Sequence, residues 1–200
     1  MKVKHLQRKR RFHAAMILVL SALVVPFSHA GDVSPVTLQL KWFHQFQFAG
    51  YYAAKAQGFF KDEGLSVQIL ERNPEKSNIQ SVLDGDAHYG VADSGLILER
   101  MKGRPVVLLA QIFQHSPLVL ITRQVSGIKS PFDLSGKSVM ADFAAHSNAP
   151  LVAVLNHTLG GIDKVRIMPH SFRLEEFLAG KVDAISAYLT NEPYTLKAQG

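Results

Sequence analysis

The sequence has no cysteine. Disulfides and thiolate-held metals are therefore excluded, and a lipoprotein signal, which needs a cysteine at its cleavage site, is not expected. Tryptophan occurs once, at position 42. A Gly-rich phosphate loop, a nucleophile elbow, paired hydrolytic carboxylates and the His-x-x-x-His spacing of a zinc site are all missing. His115, His146, His157 and His170 stand singly, where a structural or solvated role is expected. The expectation is a chain with no catalytic residue, no metal ligand and no cofactor.

An excess of one charge is also missing, once the N-terminus is set aside. Residues 1–13 carry Lys2, Lys4, Arg8, Lys9, Arg10 and Arg11 and no acid. Residues 14–27 are an uncharged apolar stretch, short against the roughly 20 residues of a membrane span. Ser28-His29-Ala30 then places small residues at a cleavage site before Gly31. This is the pattern of a cleavable signal peptide over 1–30, with export to the periplasm. Removing its six cations from the 22 basic residues leaves 16 against 16 acidic residues. The formal charge of +6 thus belongs to the leader, and no basic patch for nucleic acid remains beyond it.

What is present is an alternation of strand and helix patterns. Residues 38–70 open it. Leu38, Leu40 and Trp42 alternate with Gln39 and Lys41, the period of a strand with one buried side. His44, Gln45, Phe46 and Gln47 form a polar-aromatic elbow, residues 48–57 have helical composition, Gly58 stops them, and Leu65, Val67 and Ile69 alternate again. Further on, helices are expected over 77–83, 96–102, 147–159, 174–178 and 191–197, with a helical turn at 131–134. Strands are expected over 88–92, 118–123, 137–142, 165–168 and 182–187. The apolar run 106–113 reads as a strand buried on both faces. Residues 83–93 (LDGDAHYGVAD) and 178–188 (LAGKVDAISAY) share a helix–Gly–strand phrase, consistent with two similar lobes. The reading is α/β with mainly parallel pairing.

The strand ending in Trp42 and the segment HQFQFAGYYAAKAQGFFKDEGL after it resemble the NMT1/THI5-like (SsuA/THI5-like) family of periplasmic solute-binding proteins. The resemblance implies a type II periplasmic-binding-protein fold, two α/β lobes with a cleft between them. The lobes are expected over 31–120 and 121–200. A segment returning to the first lobe, which that fold would supply, is expected to be missing here.

Ligands of α/β folds sit at the C-terminal ends of strands, beside helix N-termini. Trp42 there either stacks a planar ligand or packs in the core; the resemblance favours the ligand. His44, Gln45 and Gln47 could supply hydrogen bonds at the cleft mouth. One of Tyr51 and Tyr52 should face the cleft, with Tyr51 taken as the contact. Asp93 and Ser94, before Gly95, either cap a helix or hold a polar group. In the second lobe Ser147 and Asn148 are candidate donors and Tyr188 an aromatic wall. Glu192 either accepts from an amino-pyrimidine N–H or is a first-turn helix residue favoured by the dipole.

The function implied is capture of a small polar or heteroaromatic nutrient between the lobes. Thiamine-precursor pyrimidines come first, with sulfonates and nitrate-type anions behind. The expected partner is an ABC importer permease or a membrane signalling domain. The same family holds a pyrimidine synthase of thiamine biosynthesis that uses pyridoxal phosphate and iron. Against that alternative, its Cys-rich motif is absent, its lysine and histidine fall where this chain has Ala92 and Leu96, and a signal peptide removes the protein from the cytosol.

Overall fold

A computed structural model describes residues 33–142, 148–171 and 173–199. The expected signal peptide over 1–30 and candidate Ser147 lie outside the described residues.

The first sheet is built around β1 (Ser34–Gln39), paired in parallel with β2 (Leu65–Leu70) on one side and β3 (Tyr89–Gly90) on the other. A 3-10 turn at Phe46–Phe48, α1 (Ala49–Ala56) and α2 (Phe59–Asp62) connect β1 to β2. Between the two helices Gly58 sits at φ +84°, a conformation glycine adopts without the Cβ penalty. Leu38, Leu40, Phe48 and Val67 make the core here, with Tyr51, Tyr52 and Phe60 packed against it. Burying each large apolar side chain contributes about 1.5–3 kcal/mol. Gln39 breaks the alternation: it is buried, and its amide donates to the Glu71 and Leu40 carbonyls at 2.6 and 3.1 Å. α3 (Asn78–Leu83) is capped by Ser77, whose hydroxyl accepts from the Gln80 N–H at 3.0 Å. It leads to β3, and α4 (Gly95–Met101) follows.

The second sheet contains β4 (Leu118–Thr122), β5 (Ser138–Met140), β6 (Arg166–Met168) and β7 (Ala184–Tyr188) in the order β4-β7-β5-β6. Pairing is parallel except that β4 runs antiparallel to β7, with Leu118 opposite Tyr188. The expected lobe boundary between 120 and 121 falls inside β4. α5 (Ala149–Leu159), α6 (Glu175–Leu178) and α7 (Glu192–Ala198) link and flank these strands. One core, including Leu134, Val139, Leu151 and Leu155, lies under α5, and another joins Met140, Phe177, Val182 and Ile185.

One expected element is corrected. Residues 106–113 form no strand, and the run is not buried: Val106 is covered, but Val107 and Leu109 are 76% and 73% exposed. An apolar run shows which side chains would gain from cover, and a strand also needs a neighbour to complete its ladder. Among the described residues no strand pairs with β3 on the side away from β1. No helix among the described residues is long and apolar enough to cross a membrane.

Candidate functional site

A cavity of about 330 Å³ opens where the strands of both sheets end. Four of its ionisable lining residues stand at equivalent places. Lys41 lies two residues past β1, Arg72 two past β2, Asp142 two past β5 and His170 two past β6. Side chains just past strand ends can turn into the crevice, as ligand-binding groups of α/β sheets do.

These residues bridge the two sheets. The Lys41 ammonium pairs with Asp93 at 3.2 Å and donates to the Tyr188 hydroxyl, which comes from β7. It also lies 4.5 Å from the centre of the Tyr188 ring. The Lys41 side chain is only 14% exposed, so these partners replace much of the hydration its ammonium gives up. Asp93 uses its second oxygen to accept the Gly95 N–H at 2.9 Å, which opens α4. Arg72 reaches Asp142 at 4.0 Å and sits 5.8 Å from the centre of the Trp42 ring. Trp42 in turn meets His170 edge-to-face at 5.7 Å. Burial holds the His170 pKa below its ordinary value; a hydrogen bond to the Ser186 backbone and the nearby Glu192 and Asp142 carboxylates act against the shift, while Arg72 adds to it.

Of the residues expected from the sequence, Trp42, Gln45, Gln47 and Asp93 line this cavity from the first sheet, and Asn148, Tyr188 and Glu192 from the second. Asn148 is buried and donates to the Asp142 carbonyl at 2.6 Å. Glu192 turns back on its own strand end, accepting the Tyr188 N–H at 2.7 Å and the Asn191 amide at 3.2 Å. Its carboxylate therefore has a structural task as well as a place in the cavity wall.

Three expected contacts fall elsewhere. His44 is exposed beside the cavity, hydrogen-bonded to Tyr52 and 3.8 Å from Glu71. Tyr51 and Tyr52 both pack against the first core, and burial raises both phenol pKa values. Helical geometry turns these neighbours through about 100°, which left the choice between them open. Ser94 is exposed at the start of α4 and makes no side-chain cap, because Asp93 does that work.

Lys41, Arg72, Asp142 and His170 were not among the expected residues. Lys41 read as the solvent side of a strand, and His170 as a lone histidine. The signal that finds them is their shared offset from the strand ends. Among the described residues no group of three or more His, Cys, Asp or Glu could hold a metal.

The family model described as NMT1/THI5 like matches residues 45–200. A riboflavin-binding protein, RibY, from Chloroflexus aurantiacus is 27% identical over 173 residues, covering 82% of this chain and 48% of the relative. A formylaminopyrimidine-binding protein from Halalkalibacterium halodurans is 28% identical over 190 residues, covering 93% of this chain and 57% of the relative. The periplasmic aliphatic sulphonate binding protein SsuA from Escherichia coli superposes with a TM-score of 0.60 at 18% identity, covering 83% of this chain and 54% of that one. The fold is thus that of the periplasmic binding proteins, and the chain spans about half the length of the curated relatives it matches.

Proposed function

The chain belongs to the NMT1/THI5-like family, and we propose that it acts in a solute-binding protein that captures a small polar or heteroaromatic nutrient for an ABC importer permease or a membrane signalling domain. The observation that carries this reading is the cavity at the strand ends, where one tryptophan, one tyrosine and a set of polar side chains from both sheets converge. Such sites combine an apolar or aromatic body with a few polar groups that fix orientation. Closure of two lobes around a solute is the mechanism that this architecture supports. Relatives named for riboflavin and for formylaminopyrimidine favour a planar nitrogen heterocycle. Thiamine-precursor pyrimidines are our first candidates. Delivery happens outside the cytosol, with residues 1–30 acting as a cleavable signal peptide.

The pyridoxal-dependent synthase reading fits the residues poorly. That cofactor needs a lysine able to form an imine. The two lysines lining the cavity are both engaged, Lys41 by Asp93 and Tyr188, and Lys76 by Asp84 and Asp86.

Native mass spectrometry of protein recovered from the periplasm tests the proposal. The chain should begin at Gly31 and carry one aminopyrimidine-like molecule when that solute is supplied, and Trp42→Ala should lose the adduct. A chain that retains its leader, or an adduct that survives Trp42→Ala unchanged, would sink the localisation or the site, respectively.

A further inference from the structure

We propose that Lys41 is a latch joining the two sheets across the cavity, and that a solute enters and leaves only when this latch releases Tyr188. The gating role rests on the solute-capture reading above. Among the described residues, three contacts cross from the first sheet to the second at the cavity. Lys41 donates to the Tyr188 hydroxyl, Arg72 reaches Asp142 at 4.0 Å, and the Trp42 and His170 rings meet at 5.7 Å. The chain supplies both partners of each contact, so the joined arrangement needs no solute atom to complete it. All six residues also line the cavity, so any motion that parts the sheets there opens the site.

The latch is asymmetric. Lys41 follows β1 and Asp93 follows β3, and these strands are neighbours in one sheet. The Lys41–Asp93 pair at 3.2 Å therefore stays within the first sheet when the sheets separate. Asp93 is itself held by the Gly95 N–H at 2.9 Å. Tyr188 is the last residue of β7 and meets the ammonium twice, through its hydroxyl and through its ring, whose centre is 4.5 Å away. Release breaks one charge-assisted hydrogen bond and one cation–π contact. It strands no charge, because Asp93 keeps the ammonium. Removing the carboxylate partner of a sheltered cation would be far more costly. The contact is thus firm enough to join the sheets and cheap enough to open repeatedly. Arg72 and Asp142 play the lesser part: their side chains are 20% and 30% exposed, and a 4.0 Å pair open to water holds weakly.

The chain has no cysteine of its own, so Lys55→Cys on α1 and Asn156→Cys on α5, both at exposed positions, can carry spin labels that report the separation of the sheets. Double electron–electron resonance of this pair, with no solute added, should show the longer-distance population rise about tenfold in Tyr188→Phe, which keeps the ring and removes the hydroxyl. Arg72→Gln should raise it less. An unchanged distribution in Tyr188→Phe, or a larger change in Arg72→Gln, overturns the latch. A lowered melting temperature with unchanged distances overturns it too, since Tyr188 would then serve stability alone. Stopped-flow mixing with 4-amino-2-methylpyrimidine, followed by the fluorescence of Trp42, the single tryptophan, tests the gating. The observed rate should level off as the probe concentration rises, the mark of opening before entry, and Tyr188→Phe should raise that plateau about tenfold. A rate that climbs linearly throughout overturns the gating and leaves solute capture standing. Failure of the probe to bind removes the solute-capture reading and the gating with it, whereas the spin-label distances are read without any solute.

Discussion

His170 shows how a single residue connects packing with chemistry. It touches Trp42, bonds to the Ser186 backbone, and is faced by Asp142, Glu192 and Arg72. Burial is the largest influence, and it lowers the pKa from the ordinary 6.5. The folded chain then binds fewer protons than the unfolded chain around that pH, so stability rises with pH there. The contribution is complete above the ordinary value and is lost as pH falls below it, until the lowered folded-state value is passed. We expect the melting temperature to fall between about pH 7.5 and 5.5, and His170→Gln to flatten that fall. Parallel melting curves for the two proteins would refute the assignment. Nothing local in the sequence marks this histidine. Its environment is assembled from β6, β7 and the segment after β1, more than a hundred residues apart. Trp42 and Tyr188 line the cavity, but alternation alone fitted core packing at Trp42 equally well, and it was the family resemblance that pointed to the crevice. Lys41 was not legible, because alternation along a strand assigns it to solvent, and only the end of β1 at Gln39 frees it to turn inward.

The elements repeat this division between local and distant causes. Gly58 and the Pro131 turn are written in a few neighbouring residues and fall where expected, and the helix expected over 77–83 begins one residue later, with Ser77 as its cap. The phrases ending in Gly85 and Gly180 also agree: each follows a helix, sits at positive φ and feeds a strand, β3 or β7. Strand partners are less legible, since β4 is parallel to nothing and its antiparallel register depends on β7 some sixty residues later. Arg123, just past β4, shows what holds that arrangement. Its guanidinium donates to the Phe177 and Val182 carbonyls at 2.6 and 2.9 Å and lies 5.5 Å from the centre of the Phe177 ring. It thereby closes the end of α6 and the turn leading into β7. Arg123→Met keeps much of the apolar stem but leaves two carbonyls without that donor. It should destabilise the chain by about 1.5–3 kcal/mol. Arg123→Lys should recover only part of this, because one ammonium cannot match a planar fork. Chemical denaturation measures both, and a loss below about 0.5 kcal/mol in Arg123→Met would show that water replaces the guanidinium.

At the scale of the whole molecule the two sheets are unequally covered. The second sheet has cores on both faces, whereas the first is followed by residues 107–113, an apolar run without strand partners. Val107, Leu108, Leu109 and Ile112 are all exposed, and Met101 and Ile97 on the preceding α4 are exposed too. Contiguous exposed apolar surface of this kind favours association. A run rich in Val, Leu and Ile with no charge between 105 and 122 is also a template for pairing with another strand. For the 200-residue chain the same surface has a measurable consequence. The chain should self-associate as its concentration rises, and Leu108→Lys with Ile112→Lys should suppress this. Both side chains are exposed, so their replacement should leave the melting temperature within a degree or two. Light scattering over a concentration series, with melting curves alongside, separates the outcomes. A chain that stays monomeric without the substitutions would show that the run is covered in solution. A double variant that melts much lower would show that Leu108 and Ile112 pack against the rest of the first sheet.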